Sequence, residues 1–188
     1  ISDRSSYKSK YLTSKAISEF VEAAKQFNIP EDIQFTDGLL AMIDQLKLLR
    51  DAFLDYIDAL LFSGQPFTHV VTDLLENLFN SFVNDRNRQG NQYYKGEAYD
   101  FFLWELFISI TAFCIYHDKF SELREIISHT YFLLDSWGSN VVPHNFSRFL
   151  TYCETIEGKC KPLCHEPRLI TLQGEMLILR ERKPILTK

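Results

Sequence analysis

Residues 98–116 read AYDFFLWELFISITAFCIY, and this stretch decides the fold. Its side chains are apolar on almost every side of a helix, which is typical of a helix buried at the centre of a protein or in lipid. A membrane-spanning helix needs about 20 apolar residues and tolerates a buried acid poorly. Here Glu105 interrupts the stretch, and no basic cluster flanks it. We therefore expect a core helix over about 97–116 and no membrane insertion.

The composition of the chain indicates one packed domain. The chain has 188 residues, of which 46% are hydrophobic, and this length suits a single domain of ordinary size. Four cysteines are too few for a disulfide scaffold, so we expect a reducing, cytoplasmic location. Because the first residue is Ile1, we expect a domain excised from a larger intracellular protein. Within it we expect a helical domain over 1–158, followed by a segment over 159–188.

Charge is distributed unevenly along the chain. Residues 1–28 carry a net charge of +2, residues 29–158 carry −11 and residues 159–188 carry +4, which gives the total of −5. An acidic body repels phosphate backbones, so nucleic acid is disfavoured as a partner of the body. The basic C-terminal edge is the one part of the chain suited to contact a polyanion.

Apolar spacing and capping residues predict six helices. They are expected at about 14–27, 37–62, 66–83, 97–116, from 118 or 121 to 137, and 145–157. Gly138 is expected to follow the fifth helix as its C-terminal capping residue, and Gly158 to follow the sixth. Residues 84–96 break the helical pattern and are predicted to be an exposed loop.

The sequence changes character after residue 168. Two short apolar runs, 169–172 and 176–179, flank a glycine, and such a pattern is typical of a β-hairpin. An isolated hairpin is only marginally stable, so this one should pack on the helices or pair with a strand outside the chain. The predicted fold class is therefore all-α: an irregular bundle of five to six helices around the helix at about 97–116, with a small C-terminal β-hairpin at about 169–180.

Glu105 is the first candidate functional residue. A carboxylate among apolar side chains must find a cationic partner or become neutral. The interpretation that we favour is a structural pair with a buried Arg or His from elsewhere in the fold. The alternative is a catalytic or ligand-binding acid.

The predicted loop at 84–96 is the candidate partner-binding segment. Long loops without regular structure are often functional, and Arg and Tyr are frequent at binding hot spots. The alternative is a simple connector. The candidate partner-binding residues are Arg86, Arg88, Tyr93, Tyr94 and Lys95.

Residues 124–129 read REIISH, which places Arg124 five residues before His129. An arginine can stabilise charge on a phosphate while a histidine moves a proton. The pair resembles the Arg-x4-6-His signature of the HEPN family, all-helical domains that include RNA-cutting toxins and defence proteins. The resemblance covers six residues and implies a ribonuclease that uses Arg124 and His129 as catalytic residues. Positions five apart lie about 140° apart around a helix, so the pair would converge across a homodimer or at a kink.

Cys153, Cys160 and Cys164 are the candidate metal ligands. Zinc in structural sites takes four nitrogen or sulfur ligands, so these thiols would need a further ligand. The alternative is reduced thiols, partly in the core and partly in a loop. A structural zinc is thus the one cofactor considered, and otherwise we expect none.

Four aspartates of the second helix recur every seven residues and share one face: Asp37, Asp44, Asp51 and Asp58. A metal site would require a second carboxylate-bearing helix opposite this face. The interpretation that we favour is a solvated outer face that is balanced by Lys47 and Arg50.

No glycine-rich phosphate loop, Ser-His-Asp arrangement or dinucleotide fingerprint occurs in the sequence. We therefore expect a non-catalytic helical interaction or regulatory domain of a larger intracellular protein. Its partner would be another protein or another domain of the same protein, contacted through the loop at 84–96, the basic C-terminal edge or both. The HEPN-like ribonuclease is the alternative, and the sequence leaves a homodimer open.

Overall fold

Helices dominate the architecture. The computed structural model describes residues 2–26, 34–86, 94–135, 138–160 and 171–180. Its elements in chain order are α1 (Ser2–Lys25), α2 (Phe35–Phe62), α3 (Thr68–Arg86), α4 (Tyr94–Tyr116), α5 (Phe120–Ser128), β1 (Tyr131–Leu134), β2 (Val141–His144), a 3-10 turn (Phe146–Phe149), a π-helical turn (Ile156–Cys160) and α6 (Leu172–Leu179). The predicted all-α fold with a small antiparallel sheet is confirmed.

The predicted core helix is α4. Phe101, Phe102, Leu106 and Ile110 are buried on successive turns, and α4 packs against both α2 and α3. In the described part of the chain it is the one helix long and apolar enough to cross a membrane by length and composition. Most of its surface is instead covered by protein in this fold, as expected for the axis of a helical bundle.

Helices α2 and α4 run side by side in the same direction. A hydrogen bond of 2.8 Å from Arg50 Nη1 to Glu105 Oε1 joins their middle turns. His117 Nε2 lies 3.7 Å from Asp58 Oδ1, near the C-terminal ends of the two helices. Because residue numbers increase together along both helices, these two ends lie at the same end of the bundle. We call this the distal end.

The hairpin lies at a different place from the predicted one. Strands β1 and β2 pair antiparallel, with Phe132 opposite Pro143. The predicted fifth helix therefore ends at Ser128 rather than at residue 137, because Tyr131 and Leu133 turn into the core at the two-residue spacing of a strand. Gly138 has a φ of 67°, but it serves the loop of the hairpin and does not follow a helix.

Residues 172–179, predicted as part of a hairpin, form helix α6, while residues 169–170 lie outside the described residues. Thr171 begins the helix, and its Oγ1 accepts a hydrogen bond from the Gly174 N–H at 3.1 Å. Gly174 serves this cap rather than a turn, since a Cβ there would lie 2.6 Å from Thr171 Oγ1. Gln173, Leu177 and Arg180 are buried at helical spacing. Short apolar runs in a sequence do not distinguish a buried helix from a pair of strands. Here the packing of residues 173, 177 and 180 into the core favours the helix.

Two further boundaries differ from expectation. The predicted sixth helix over 145–157 is divided into the 3-10 turn and the π-helical turn, because Phe149 anchors the chain against the rings of Phe79 and Tyr131. Gly158 lies inside the π-helical turn. Of the predicted loop at 84–96, residues 84–86 belong to α3 and residues 94–96 belong to α4, while residues 87–93 lie outside the described residues.

Candidate partner-binding surface

Glu105 is fully buried and paired with two arginines. Its Oε1 accepts hydrogen bonds from Arg50 Nη1 at 2.8 Å and from Arg180 Nε at 2.9 Å, and its Oε2 accepts one from Arg180 Nη2 at 3.3 Å. The favoured prediction of a buried Arg partner is therefore confirmed. Both carboxylate oxygens are occupied by cations, which is typical of a structural ion cluster. We call Glu105, Arg50 and Arg180 the Glu105 cluster.

Arg50 and Arg180 reach this cluster from opposite ends of the sequence. Arg50 was expected on the solvated face of α2, but its side chain is 2% exposed and points inward. Arg180 Nη2 also donates to the Ile43 carbonyl at 2.7 Å, and Nη1 donates to Asp44. The carbonyl oxygen of Arg180 accepts a hydrogen bond from Arg50 Nη2 at 2.7 Å. The end of α6 is thus fixed between α2 and α4.

Arg124 and His129 do not share a contact in the described part of the chain. Arg124 is exposed on α5, whereas His129 follows the last residue of that helix. His129 Nε2 lies 3.5 Å from Glu76 Oε1 on α3, and its ring packs edge-on against Tyr131 at 4.7 Å. This histidine therefore helps to join α3 to the hairpin. The ribonuclease interpretation stays a prediction.

Cys153 is a buried free thiol whose Sγ donates to the Glu97 carbonyl at 3.9 Å. Burial raises the pKa of the Cys153 thiol and raises the pKa of Cys114 to about 12, so both stay protonated at neutral pH. The side chain of Cys160 and all of Cys164 lie outside the described residues. Among the described residues, no three His, Cys, Asp or Glu side chains are placed to hold a metal ion. A structural zinc stays a prediction.

Most of the predicted partner-binding segment lies outside the described residues. Arg88 and Tyr93 lie outside the described residues, as do the side chains of Arg86 and Tyr94, which end α3 and begin α4. Lys95 lies in the first turn of α4 and is half-buried. Partner binding by this segment therefore stays a prediction.

A groove of about 720 Å³ lies between α1 and α3. Its floor is formed by Ile17 and Val21, and its rims carry polar side chains such as His69 and Asp73. These polar side chains are mostly exposed, so the groove is a solvated channel rather than a dry pocket with convergent polar groups.

Large apolar side chains are exposed at the distal end of the bundle. Phe62 is the last residue of α2, Ile115 and Tyr116 end α4, and Phe120 begins α5. Each is about half exposed or more, and Phe62 is 85% exposed. Large apolar side chains are also exposed elsewhere in the described chain, such as Leu48 and Leu179, but these four come from helix ends at the same end of the bundle. We call these four residues the distal surface.

Acidic side chains lead along α2 to the distal surface. Asp51, Asp55 and Asp58 precede Phe62 at spacings of three or four residues, so all four positions lie on one face of the helix. We call the three aspartates the acidic stripe. Asp118, in the turn between α4 and α5, adds a fourth carboxylate near the same end. Asp51 accepts a hydrogen bond from Arg50 Nη2 at 2.7 Å, and Asp58 lies 3.7 Å from His117 Nε2. Asp55 and Asp118 are therefore the exposed carboxylates near the distal surface.

Sequence reasoning missed the distal surface. In α4 the apolar pattern has no polar face, so it gives no indication that Ile115 and Tyr116 emerge from the core. One signal was available: Phe62 stands directly before Ser63 and Gly64, which end the helix. A large apolar residue at a helix end is less easily covered by neighbouring helices than one in the middle.

Comparison of the chain with protein-family models, with curated proteins and with solved structures finds no significant match.

Proposed function

We propose that this chain is a non-catalytic helical interaction domain that binds another polypeptide through its distal surface. The observation that carries the proposal is the exposure of four large apolar side chains at one end of the bundle. Burying a side chain such as Phe62 against a partner contributes about 1.5–3 kcal/mol. Four such side chains on firmly packed helix ends can therefore supply most of a specific binding energy.

The surroundings of the distal surface indicate the chemistry of the partner. The acidic stripe and Asp118 favour basic residues next to an apolar anchor, since complementary charge raises the association rate and excludes wrong partners. The same carboxylates disfavour nucleic acid and anionic membranes. A protein segment with apolar side chains and basic neighbours fits this surface best.

Photo-crosslinking in cells that naturally make the protein tests this function. The crosslinking residue p-benzoylphenylalanine replaces Phe62 in one variant and Glu19, which is exposed on α1, in the control. We expect discrete adducts with another polypeptide from position 62 and not from position 19. Adding Tyr116→Ser and Phe120→Ser should lower the yield at least about tenfold, because about two apolar contacts are lost.

Unfolding curves of the variants provide the control for this experiment. Phe62, Tyr116 and Phe120 are exposed, so their replacement should change the free energy of unfolding little. Adducts with other polypeptides that are no more abundant from position 62 than from position 19 would overturn the proposed function.

A further inference from the structure

We propose that the acidic stripe and the distal surface also bind residues 181–188 of this same chain. That segment reads ERKPILTK and lies outside the described residues. The proposal rests on the proposed function, since it names what occupies the partner-binding surface before the partner does. Three observations support the proposal: the direction of α6, the length of the segment and the order of its side chains.

Helix α6 advances along α4 toward the distal end. Near its start, Gln173 Nε2 donates to the Thr151 carbonyl at 3.0 Å, and Thr151 Oγ1 donates to the Asp100 carbonyl at 3.1 Å. At its end, Arg180 is bound to Glu105, which lies further along α4 than Asp100. Helix α6 is therefore directed toward the C-terminal ends of α2 and α4, and Arg180, the last described residue, lies between these two helices.

The segment is long enough to reach the distal surface. Arg50, which binds the carbonyl of Arg180, lies twelve residues before Phe62 on α2. At 1.5 Å per residue, this distance along the helix is about 18 Å. Residues 181–186 in extended conformation span about 20 Å, at about 3.3 Å per residue. Ile185 and Leu186 can therefore arrive at the level of Phe62.

The side chains of the segment follow the same order as those of α2. Arg182 and Lys183 come first and Ile185 and Leu186 follow, just as the acidic stripe comes first on α2 and Phe62 follows. The segment has three basic residues and one acidic residue, a net charge of +2. Basic residues beside the exposed carboxylate of Asp55 and aliphatic residues beside the exposed rings are complementary in charge and polarity.

Tethering makes this contact effective even when its intrinsic affinity is weak. A short flexible connection gives an effective concentration of about millimolar. A partner that binds the distal surface must then displace residues 181–188, which raises the partner concentration needed for binding. The segment thus regulates the proposed function of this surface.

Photo-crosslinking of the purified full chain tests the proposal. With p-benzoylphenylalanine in place of Phe62, we expect adducts to residues 184–188, mapped by proteolysis and mass spectrometry. Their yield should not depend on protein concentration, since the contact lies within one chain. The matched control carries the crosslinker in place of Phe132, an aromatic residue of similar type that is exposed on β1, and should give no such adducts.

Charge reversal separates a specific contact from a chance encounter. The double variant Arg182→Glu and Lys183→Glu should lower the adduct yield roughly fivefold, because two positive charges attracted to the acidic stripe become negative charges that it repels. Adding Asp55→Lys to this double variant should restore part of the yield.

Two results would overturn the proposal. One is an adduct yield from position 62 no higher than from position 132, and the other is adducts that join two copies and increase with protein concentration. Neither result bears on adducts formed with another polypeptide in cells, so the proposed function would stand. Conversely, adducts within the purified chain without partner adducts in cells would support this contact and remove the proposed function.

Discussion

Glu105 accepts hydrogen bonds from two arginines in a region where almost every other side chain is apolar. Taking these three charges out of water costs several kcal/mol for each ion, and good geometry with further hydrogen bonds must offset that cost. The backbone supplies such bonds, since the carbonyl of Ile43 and that of Arg180 each accept from a guanidinium group. A cluster of this kind is sensitive to the loss of any one member.

Glu105→Gln should therefore be strongly destabilising. Removing the one fully buried negative charge leaves Arg50 with Asp51 and Arg180 with Asp44, both of which are more exposed than Glu105. We expect the free energy of unfolding to fall by about 3–5 kcal/mol. Urea unfolding followed by circular dichroism measures the change. Asp44→Asn is the control, because Asp44 also pairs with Arg180 but its side chain is 78% exposed, and it should cost less than about 1 kcal/mol. If Glu105→Gln and Asp44→Asn lowered the free energy of unfolding equally, the burial of Glu105 would not explain its contribution to stability.

Glu97 is a second acid of α4, and it makes stability depend on pH. Burial raises the pKa of the Glu97 carboxyl above its ordinary value of 4.5, although a hydrogen bond from Thr155 opposes this. Between 4.5 and the raised pKa the folded chain holds the proton more tightly than the unfolded chain, so stability falls as pH rises through this range.

Glu97→Gln should remove the decrease in the free energy of unfolding that Glu97 causes as the pH rises. We expect the variant to be more stable than the unsubstituted chain at pH 7 and to match it near pH 3, where the glutamate is protonated in both states. Urea midpoints at the two pH values measure the difference. Glu125→Gln, at an exposed position on α5, is the control and should leave the urea midpoint unchanged at both pH values. A Glu97→Gln variant less stable at pH 7 would show that the carboxylate is required in its charged form.

At the scale of elements, the hairpin illustrates how a two-stranded sheet is kept from pairing with other chains. The outer edge of β1 is covered by α3: Glu76 accepts from the Phe132 N–H at 2.8 Å, and Asn80 accepts from the Leu134 N–H at 2.7 Å. The N–H groups of Phe132 and Leu134 therefore point away from β2. Residues that lie opposite each other in an antiparallel pair direct their nitrogens in the same sense, inward or outward. The nitrogen of Pro143, opposite Phe132, therefore faces the outer edge of β2. A proline there removes a donor that a foreign strand would use.

Pro143→Val should create such a donor on the outer edge of β2. Together with Val141, which is 58% exposed, the new N–H offers a strand edge, and we expect concentration-dependent dimers or larger species in size-exclusion chromatography. The unsubstituted chain should show fewer of them at equal concentration. Adding Val141→Lys should reverse the effect, because a charged edge residue opposes pairing. If Pro143→Val elutes as the unsubstituted chain does at every concentration, the proline is not what protects this edge.

The same elements show which parts of the fold can be predicted from sequence. Helix α2 follows from its local 3.6-residue pattern, and the buried position of α4 follows from apolar side chains on almost every side, so neither requires knowledge of neighbours. The partner type of Glu105 also follows, since a buried carboxylate requires a cation. The strand at residues 131–134 does not follow, because the hydrogen bonds that hold it come from α3, more than fifty residues earlier. Arg180 as the second partner was equally beyond local reasoning, because its helix was expected to be a hairpin.

At the scale of the whole molecule, the Glu105 cluster joins parts of the chain that are far apart in sequence. Arg50 lies 55 residues before Glu105, and Arg180 lies 75 residues after it. Helix α6 has only eight residues, and Gln173 and Leu177 are its other buried positions. We therefore infer that the main role of the Glu105 cluster is to fix the end of α6 between α2 and α4. Its net contribution to the free energy of unfolding is the smaller part of its role.

A triple replacement separates these two contributions. Arg50→Met, Glu105→Leu and Arg180→Met together replace the ions by apolar groups of similar length, which in other proteins is often neutral or stabilising by about 1–4 kcal/mol. We expect the triple variant to recover the stability lost in Glu105→Gln. We also expect amide hydrogen exchange to become faster in α6 while protection in α2 and α4 is kept, since α6 loses its directional anchor. Unchanged protection in α6 would show that apolar packing alone positions it, and would weaken the directional argument for residues 181–188. A triple variant as unstable as Glu105→Gln would instead show that the ions themselves hold the core together.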